Sequence, residues 1–267
     1  MFASLGRSIR YRRLFRGGGH RALVVPMDHT VTDGPVAPGG AMSGLLSQVC
    51  ANGADAVVLH KGDTRQLRPH WLNTTSLIVH LSASTGLSPD PDAKVLVTSV
   101  TEALRLGADA VSVHVNLGSD HEAQQVKDLA SVAGDCDQWN VPLLAMVYPR
   151  GPRIDDPVDP DLVAHAVALA AALGADIVKT ACPRSMKDLA EIIRSSPIPV
   201  LIAGGPFQPD GDALAAHVAD VMRAGAVGVA TGRNIFQAAD PGAMTRRLAT
   251  VIHAPHHDST SDQNPSW

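Results

Sequence analysis

The sequence is poor in aromatic residues and in charge. Phe, Trp and Tyr make up 3% of the 267 residues, and two tyrosines are present. Charged residues make up 18%, and the formal net charge at pH 7 is −4. This balance gives none of the strongly basic or acidic character that attracts nucleic acid or a membrane surface. We therefore expect neither of them as a partner.

Cysteine and long apolar runs are also scarce. The three cysteines, Cys50, Cys136 and Cys182, are widely spaced and form no CxxC pair. Free thiols in a reducing compartment are therefore expected. No run approaches the roughly 18 apolar residues of a membrane span, and residues 1–20 have no apolar core of a signal peptide. Together these absences predict a cytoplasmic protein.

A weak internal repeat is the most informative feature that is present. Gly-Ala-Asp followed by a short apolar run occurs at residues 53–58, 107–112 and 174–179, and residues 225–229 follow the pattern more loosely. Each copy comes after a helix-like run, and glycine there is a C-cap signal because it tolerates the left-handed conformation. A repeated order of helix, glycine and buried strand indicates parallel βα units.

Eight short runs rich in Val, Ile, Leu and Ala are predicted as strands that are buried on both faces. They lie at residues 23–27, 56–60, 77–81, 110–115, 143–147, 177–180, 200–203 and 228–231. Helix-like segments separate most of them, although residues 62–76 look like an irregular loop. Eight such units predict an α/β fold, a single-domain TIM (β/α)₈ barrel. A doubly wound open sheet is the alternative.

The two ends of the chain depart from the repeating pattern. Residues 1–20 contain five arginines and predict a basic helix or extension that covers the barrel bottom or contacts another subunit. A phosphate or polyanion site is the alternative interpretation. The barrel is expected to span residues 21–252, and the polar residues 253–267 are expected to form a flexible tail.

Polar residues follow nearly every predicted strand, at the end where TIM barrels carry their catalytic groups. In strand order they are Asp28-His29, His60-Lys61, His80, His114 with Asn116, Tyr148-Pro149-Arg150, Lys179-Thr180, Gly204-Gly205 and Gly232-Arg233-Asn234. We expect them to meet in one site.

Lys179 is the sharpest candidate because it lies inside the apolar run 177–180. A buried lysine is costly, since desolvation disfavours the charged form, but a neutral amine can attack a carbonyl. Lys179 is therefore predicted to form a Schiff base, with Asp28 and Tyr148 as candidates for the proton transfers. The alternative is a structural lysine whose ammonium reaches solvent or pairs with Asp28.

Two glycine-containing turns predict a phosphate site. Gly204-Gly205 and Gly232-Arg233 follow the seventh and eighth strands, where TIM barrels often bind phosphate. Glycine lets backbone N–H groups approach phosphate oxygens closely, and Arg233 can add a charge-assisted contact. Ordinary tight turns are the alternative.

Four strand-end histidines allow a different chemistry. His29, His60, His80 and His114 could bind Zn²⁺, as in metal-dependent aldolases. No HxH or HxxxH spacing supports this alternative, and a strand-end histidine is more often a hydrogen-bonded structural residue. We therefore predict no metal and no cofactor.

Several motifs together resemble the DhnA-type class I aldolases. They lie at residues 25–29, 59–62, 112–119, 146–151, 176–180, 203–206 and 232–237. The family includes archaeal-type fructose-bisphosphate aldolases and 2-amino-3,7-dideoxy-D-threo-hept-6-ulosonate synthases, and the resemblance covers about residues 5–252. It implies a TIM barrel and a homo-oligomer, often a decamer. It also implies these roles: the Schiff-base lysine at Lys179, acid/base residues at Asp28 and Tyr148, and substrate phosphate at Gly204, Gly205, Gly232 and Arg233. We expect His29, Lys61, His114 and Arg150 to contact substrate as well.

The expected reaction follows from the branch of this family that the motifs resemble most, the heptulosonate synthases. A bacterial subgroup joins dihydroxyacetone phosphate to L-aspartate 4-semialdehyde, giving a seven-carbon amino keto phosphate that leads to 3-amino-4-hydroxybenzoate in secondary metabolism. Thr30 stands where the family usually has Gly, and Ala181-Cys182 where it often has a Ser/Tyr pair, so the acceptor is the open point. The alternatives are fructose-bisphosphate aldolase, 2-amino-3,7-dideoxy-D-threo-hept-6-ulosonate synthase and a non-catalytic phosphosugar-binding barrel.

Overall fold

A computed structural model describes residues 4–15, 20–36 and 42–255. Eight parallel strands close into a barrel in which each strand pairs with its neighbours in the chain and β1 pairs with β8. The strands are β1 Ala22–Pro26, β2 Ala56–Leu59, β3 Ser76–His80, β4 Ala110–Leu117, β5 Leu143–Pro149, β6 Ile177–Thr180, β7 Val200–Ala203 and β8 Gly228–Ala230. The predicted TIM barrel is confirmed, and the open doubly wound sheet is wrong.

Strands β4 and β5 run further than the sequence pattern indicated. Their pairing begins with residue 111 opposite residue 143 and ends with residue 117 opposite residue 149. Tyr148 therefore lies within β5, opposite Asn116, and not in the loop after the strand. Because Tyr148 pairs with Asn116 of β4, the backbone that carries Tyr148 is held by the barrel itself.

Helices cover the outside of the barrel. They are α1 Leu5–Leu14, α2 His29–Asp33, α3 Met42–Ala51, α4 Val100–Arg105, α5 Glu122–Trp139, α6 Pro160–Ala172, α7 Met186–Ser195, α8 Gly211–Arg223, α9 Arg233–Phe236 and α10 Pro241–Ile252. Two 3₁₀ helices, Asp63–Gln66 and Pro69–Asn73, occupy the segment predicted as an irregular loop. A two-stranded antiparallel ribbon, Ser82–Ala83 with Val95–Leu96, follows β3 and was not predicted. Of the helices in the described ranges, none is long and apolar enough to span a membrane.

Side chains alternate between the barrel interior and the helix layer, as the period of two in a strand requires. In β6, Ile177 packs inside the barrel while Val178 packs in the outer core. Tyr11, Leu14 and Phe15 of α1 and the turn after it close the bottom of the inner core. The same alternation turns Lys179 inward, two residues beyond Ile177.

The aspartates of the internal repeat join neighbouring strands at the barrel bottom. Asp55, Asp109 and Asp176 each accept a hydrogen bond of 2.7 to 3.1 Å from a backbone N–H of the preceding strand. In each case the donor is the first residue of that strand's predicted apolar run. Each aspartate also contacts a basic side chain from α1 or the end of α10: His253, Arg13 and Arg7, respectively. The repeat therefore marks the amino end of the barrel strands, and α1 and the end of α10 are anchored there. Residues 256–267 of the predicted tail lie outside the described ranges.

Candidate active site at the carboxyl end of the barrel

A cavity of about 730 Å³ opens at the carboxyl end of the strands. The predicted site residues that line it are Asp28, His29, His114, Tyr148, Arg150, Lys179, Gly204, Gly205, Gly232 and Arg233. His60 and His80 line it too. Most of the lining residues that lie on or just after a strand reach the cavity because every second side chain of that strand points into the barrel. For example, Asp28 follows Val24 and Pro26 at steps of two.

Lys179 is buried inside the barrel, with 8% of its surface exposed. Its backbone pairs with Met146 of β5 and Leu201 of β7, and its Nζ lies 5.7 Å from the centroid of the Tyr148 ring. Among the described residues, no carboxylate oxygen lies within 4.0 Å of this Nζ, which is the distance limit for an ion pair. The amine is thus directed into the cavity and is not held by Asp28.

Asp28 supplies a carboxylate beside this amine. Its Oδ2 lies 3.7 Å from Nε2 of His80 and its Oδ1 lies 3.6 Å from Nδ1 of His29, both too long for direct hydrogen bonds. Burial by itself raises the pKa of the Asp28 carboxyl, but His80, His29 and Lys179 outweigh it and hold this pKa well below its usual 3.8. Asp28 is therefore an ionised, weakly bonded carboxylate that can accept a proton.

His80 and His114 are held by protein partners, and burial favours their neutral forms. Nδ1 of His80 lies 2.8 Å from the Ser112 hydroxyl, and burial lowers the pKa of His80 to about 4. Nε2 of His114 lies 2.8 Å from Oδ1 of Asn116. The Asn116 amide donates through Nδ2 to a backbone carbonyl, so Nε2 of His114 carries the proton. Burial also holds the pKa of His114 well below 6.5.

The zinc interpretation finds no support in this arrangement. The ring centroids of His60 and His80 are 5.3 Å apart, and those of His80 and His114 are 6.5 Å apart. Within the described ranges, no three His, Cys, Asp or Glu side chains converge as a metal-binding group. His80 and His114 instead form hydrogen bonds to protein partners on the cavity wall.

Close backbone contacts explain the glycines on the opposite wall. A Cβ atom on Gly204 would lie 2.1 Å from Oγ1 of Thr231, and one on Gly232 would lie 2.1 Å from the Pro26 carbonyl. Asn234 ties the two loops together, because its Nδ2 donates to the Gly204 carbonyl at 2.7 Å and its Oδ1 accepts from the Gln208 N–H at 2.7 Å. A preformed, glycine-lined turn with Arg233 on the cavity wall is suited to an anionic group.

Lys61 does not lie with the other predicted residues. Its Nζ donates to the Val97 carbonyl at 2.8 Å and lies 3.4 Å from a carboxylate oxygen of Glu102. Besides Lys179, Lys94 lines the cavity, and the strand-end pattern missed it because it lies in a loop. Its signal in the sequence is weak, since only the ribbon after β3 brings this loop back to the barrel mouth.

The fold and the site define an aldolase. The sequence profile of the DeoC/LacD family of aldolases matches residues 22–238, and the chain belongs to this family. It is 55% identical over 251 residues to the 2-amino-4,5-dihydroxy-6-oxo-7-(phosphonooxy)heptanoate synthase of Streptomyces griseus, an alignment that covers 94% of this chain and 92% of that protein. It is 43% identical over 248 residues to the 2-amino-3,7-dideoxy-D-threo-hept-6-ulosonate synthase of Halobacterium salinarum, covering 93% of this chain and 92% of that one.

Solved structures agree with this assignment. An archaeal fructose 1,6-bisphosphate aldolase superposes with a TM-score of 0.85 at 28% identity, covering 93% of this chain and 100% of its own. A second archaeal fructose-1,6-bisphosphate aldolase structure, with its catalytic lysine covalently bound to the carbinolamine intermediate of its substrate, gives a TM-score of 0.85 at 28% identity over 92% of this chain and 99% of that chain. The family resemblance found in the sequence motifs is confirmed.

Proposed function

We propose that the protein is a Schiff-base aldolase that adds dihydroxyacetone phosphate to L-aspartate 4-semialdehyde. The product is 2-amino-4,5-dihydroxy-6-oxo-7-(phosphonooxy)heptanoate, the compound in the name of the Streptomyces griseus relative. This product divides between C4 and C5 into a three-carbon phosphorylated ketone and a four-carbon amino aldehyde, with every atom retained. That balance is the one an aldol addition requires.

One observation carries the chemical part of this proposal: a buried, inward-facing lysine lies against a tyrosine, and both line a cavity with an ionised carboxylate. Nζ of Lys179 attacks the ketone carbon of the donor, and loss of water leaves an iminium. Asp28 or Tyr148 takes the proton from the hydroxymethyl carbon, which gives the enamine, and the ionised state of Asp28 favours it for this step.

The second half of the reaction joins the two substrates. The enamine carbon attacks the aldehyde carbon of the acceptor, and Tyr148 donates a proton to the new alkoxide. Water then hydrolyses the iminium and frees Lys179. The donor phosphate is assigned to the turns at Gly204-Gly205 and Gly232-Arg233, whose glycines leave the backbone accessible and whose arginine supplies a charge.

Reductive trapping tests the covalent step. Borohydride added with dihydroxyacetone phosphate should leave a stable adduct on Lys179, which peptide mass spectrometry locates. Lys179→Met should lose both the adduct and turnover while keeping the fold. Lys61→Met is the matched control, because this lysine is bonded outside the cavity, and it should keep both. An unmodified Lys179 in the wild-type protein would overturn the mechanism.

A product assay tests the acceptor. Incubation of dihydroxyacetone phosphate with L-aspartate 4-semialdehyde should yield the seven-carbon product, whereas cleavage of fructose 1,6-bisphosphate should be much slower. The second candidate function is fructose-bisphosphate aldolase, which the structural similarity to the archaeal enzymes favours. Rapid fructose 1,6-bisphosphate cleavage without synthesis of the seven-carbon product would establish it instead.

The proposal includes a cytoplasmic homo-oligomer. Helix α1 leaves Leu5 77% and Ile9 47% exposed, which is apolar area that a subunit contact could cover. Sedimentation velocity should show an assembly larger than the 27.9 kDa chain, and a monomer at micromolar concentration would contradict this part.

A further inference from the structure

Two cations line the cavity without an acidic partner. Lys94 has 8% of its surface exposed, and Arg150 lies 5.5 Å above the centroid of the Tyr148 ring. In the described part of the chain, neither is within 4.0 Å of a carboxylate oxygen. Burial and the charge of Arg150 lower the pKa of Lys94 by more than the nearby aspartates raise it. Arg150 itself is exposed at the cavity wall, but a buried amine such as Lys94 beside a like charge is costly unless an anion joins them.

The position of Lys94 is built by the ribbon after β3. Ser84 and Lys94 are the residues that flank its paired strands, and Nζ of Lys94 donates to the Ser84 hydroxyl at 2.5 Å. The loop between them is pinned at Asp92, whose backbone carbonyl accepts from the buried side-chain amides of Asn116 at 2.9 Å and Gln125 at 3.0 Å. The ammonium is therefore held at the cavity wall and is not on a loose surface loop.

This cation pair is separate from the glycine turns assigned to the donor phosphate. Lys94 follows β3, which lies opposite β7 in the closed strand order, and Arg150 follows β5, which β6 separates from β7; the glycine turns follow β7 and β8. Tyr148 connects the pair to the reacting end, because the guanidinium of Arg150 and the amine of Lys179 both lie within 6 Å of its ring centroid, at 5.5 and 5.7 Å. The cavity therefore offers positive charge at two ends, with the amine between them.

We propose that Lys94 and Arg150 bind the carboxylate of the acceptor aldehyde and so select an amino-acid semialdehyde over neutral aldehydes. This inference rests on the proposed function. An extended four-carbon chain separates its aldehyde and carboxylate carbons by roughly 4 Å. An acceptor held at this subsite therefore presents its aldehyde beside Tyr148, toward the donor on Lys179.

Three aldehydes that share a four-carbon chain test the subsite. L-aspartate 4-semialdehyde has the carboxylate and the amine, succinate semialdehyde has only the carboxylate, and butanal has neither. Lys94→Met should lower kcat/KM for both semialdehydes by about 10- to 100-fold, the loss expected for a charged hydrogen bond. The change should fall mainly on KM. The kcat/KM for butanal should not change. Lys94→Arg should recover part of the loss in kcat/KM for the two semialdehydes.

Controls separate the failure of this inference from failure of the proposed function. Lys61→Met should leave all three aldehydes unchanged, and borohydride trapping of dihydroxyacetone phosphate should be intact in Lys94→Met. Equal losses for butanal and the semialdehydes, or no loss for any of them, would overturn the subsite while leaving the Schiff base in place. Faster reaction with glyceraldehyde 3-phosphate than with L-aspartate 4-semialdehyde would instead overturn the proposed acceptor, and the subsite with it, because the anion site would then be one for phosphate.

Discussion

The amine of Lys179 lies under the ring of Tyr148, 5.7 Å from its centroid. The register of the barrel produces this contact: Met146 pairs with Lys179 across β5 and β6, and Tyr148 is the next inward residue on β5. The ring is attractive to a cation, and its hydroxyl is carried by a strand that pairs with β4 at this residue. In the proposed mechanism, Tyr148 therefore has two roles: its ring positions the amine, and its hydroxyl donates a proton.

Tyr148→Phe separates these two contributions. The ring would remain above Lys179, so the borohydride adduct with dihydroxyacetone phosphate should still form. Without the hydroxyl, we expect turnover to fall by about 10²- to 10⁴-fold, the usual contribution of a positioned acid or base. Steady-state synthesis of the seven-carbon product measures this. Unchanged turnover together with normal trapping would remove Tyr148 from the proton transfers.

The pH dependence of stability reports on His80. In the unfolded chain this imidazole binds a proton near pH 6.5, but in the folded protein only near pH 4, because it is buried. Between these values the unfolded state binds more protons, so the free energy of unfolding should fall as pH drops, by on the order of 3 kcal/mol across the window. Asp28, whose pKa is lowered, loses its contribution only below its usual 3.8.

Urea unfolding at pH 7, 6, 5 and 4 measures this slope. His80→Asn should reduce the dependence of the unfolding free energy on pH. Part of this dependence should remain, because burial also lowers the pKa values of His29 and His114. His165→Asn, on the exposed face of α6, is the matched control and should leave the slope as in the wild type. Equal slopes for all three proteins would contradict the neutral, buried state of His80.

Gly232 should not tolerate a side chain. A Cβ atom there would meet the Pro26 carbonyl at 2.1 Å, which is backbone and cannot rotate away. We expect Gly232→Ala to destabilise the protein by about 1–3 kcal/mol and to weaken donor binding. Gly134→Ala in α5 is the control: nothing lies within 4 Å of its Cβ, and it should stabilise by about 0.5–1 kcal/mol. Thermal unfolding and the KM for donor measure both, and a neutral Gly232→Ala would contradict the close contact.

Arg7 joins α1 to the barrel bottom. Its guanidinium binds both carboxylate oxygens of Asp176, at 3.0 and 2.7 Å, and the two side chains are 10% and 8% exposed. Arg7→Met would leave Asp176 buried without its cation, so we expect a loss of about 3–5 kcal/mol. Arg12→Met, on the exposed face of the same helix, should change stability by less than about 0.5 kcal/mol. Chemical denaturation at pH 7 compares them.

The barrel could be predicted from short-range patterns because each βα unit carries its own signals. The glycine that follows four of the helices and the continuous apolar run after it do not depend on the rest of the fold. Lys179 was found in the same way, since a lysine within a buried strand is unusual whichever strands lie beside it. The ends of β4 and β5 were placed short because their last residues pair only when the two strands meet.

The aspartate repeat was recognised but its role was not. The sequence shows Asp55, Asp109 and Asp176 at equivalent positions, and the structure shows that each bonds to a neighbouring strand and to a basic side chain from α1 or the end of α10. No local pattern connects Arg7 with Asp176, because 169 residues separate them. The pairing exists only once α1 lies across the bottom of the closed barrel.

By itself, the sequence determined the eight strands and the buried lysine, because these follow from the pattern of neighbouring residues. Only the tertiary structure decided that the strands close into a barrel and which lysines share the cavity. Lys61 lies two residues after β2, yet it turns outward to Val97 and Glu102, whereas Lys94 lies in a loop and is carried inward by the ribbon. Which loop folds over a barrel mouth depends on contacts between distant segments, and those contacts are absent from any local pattern.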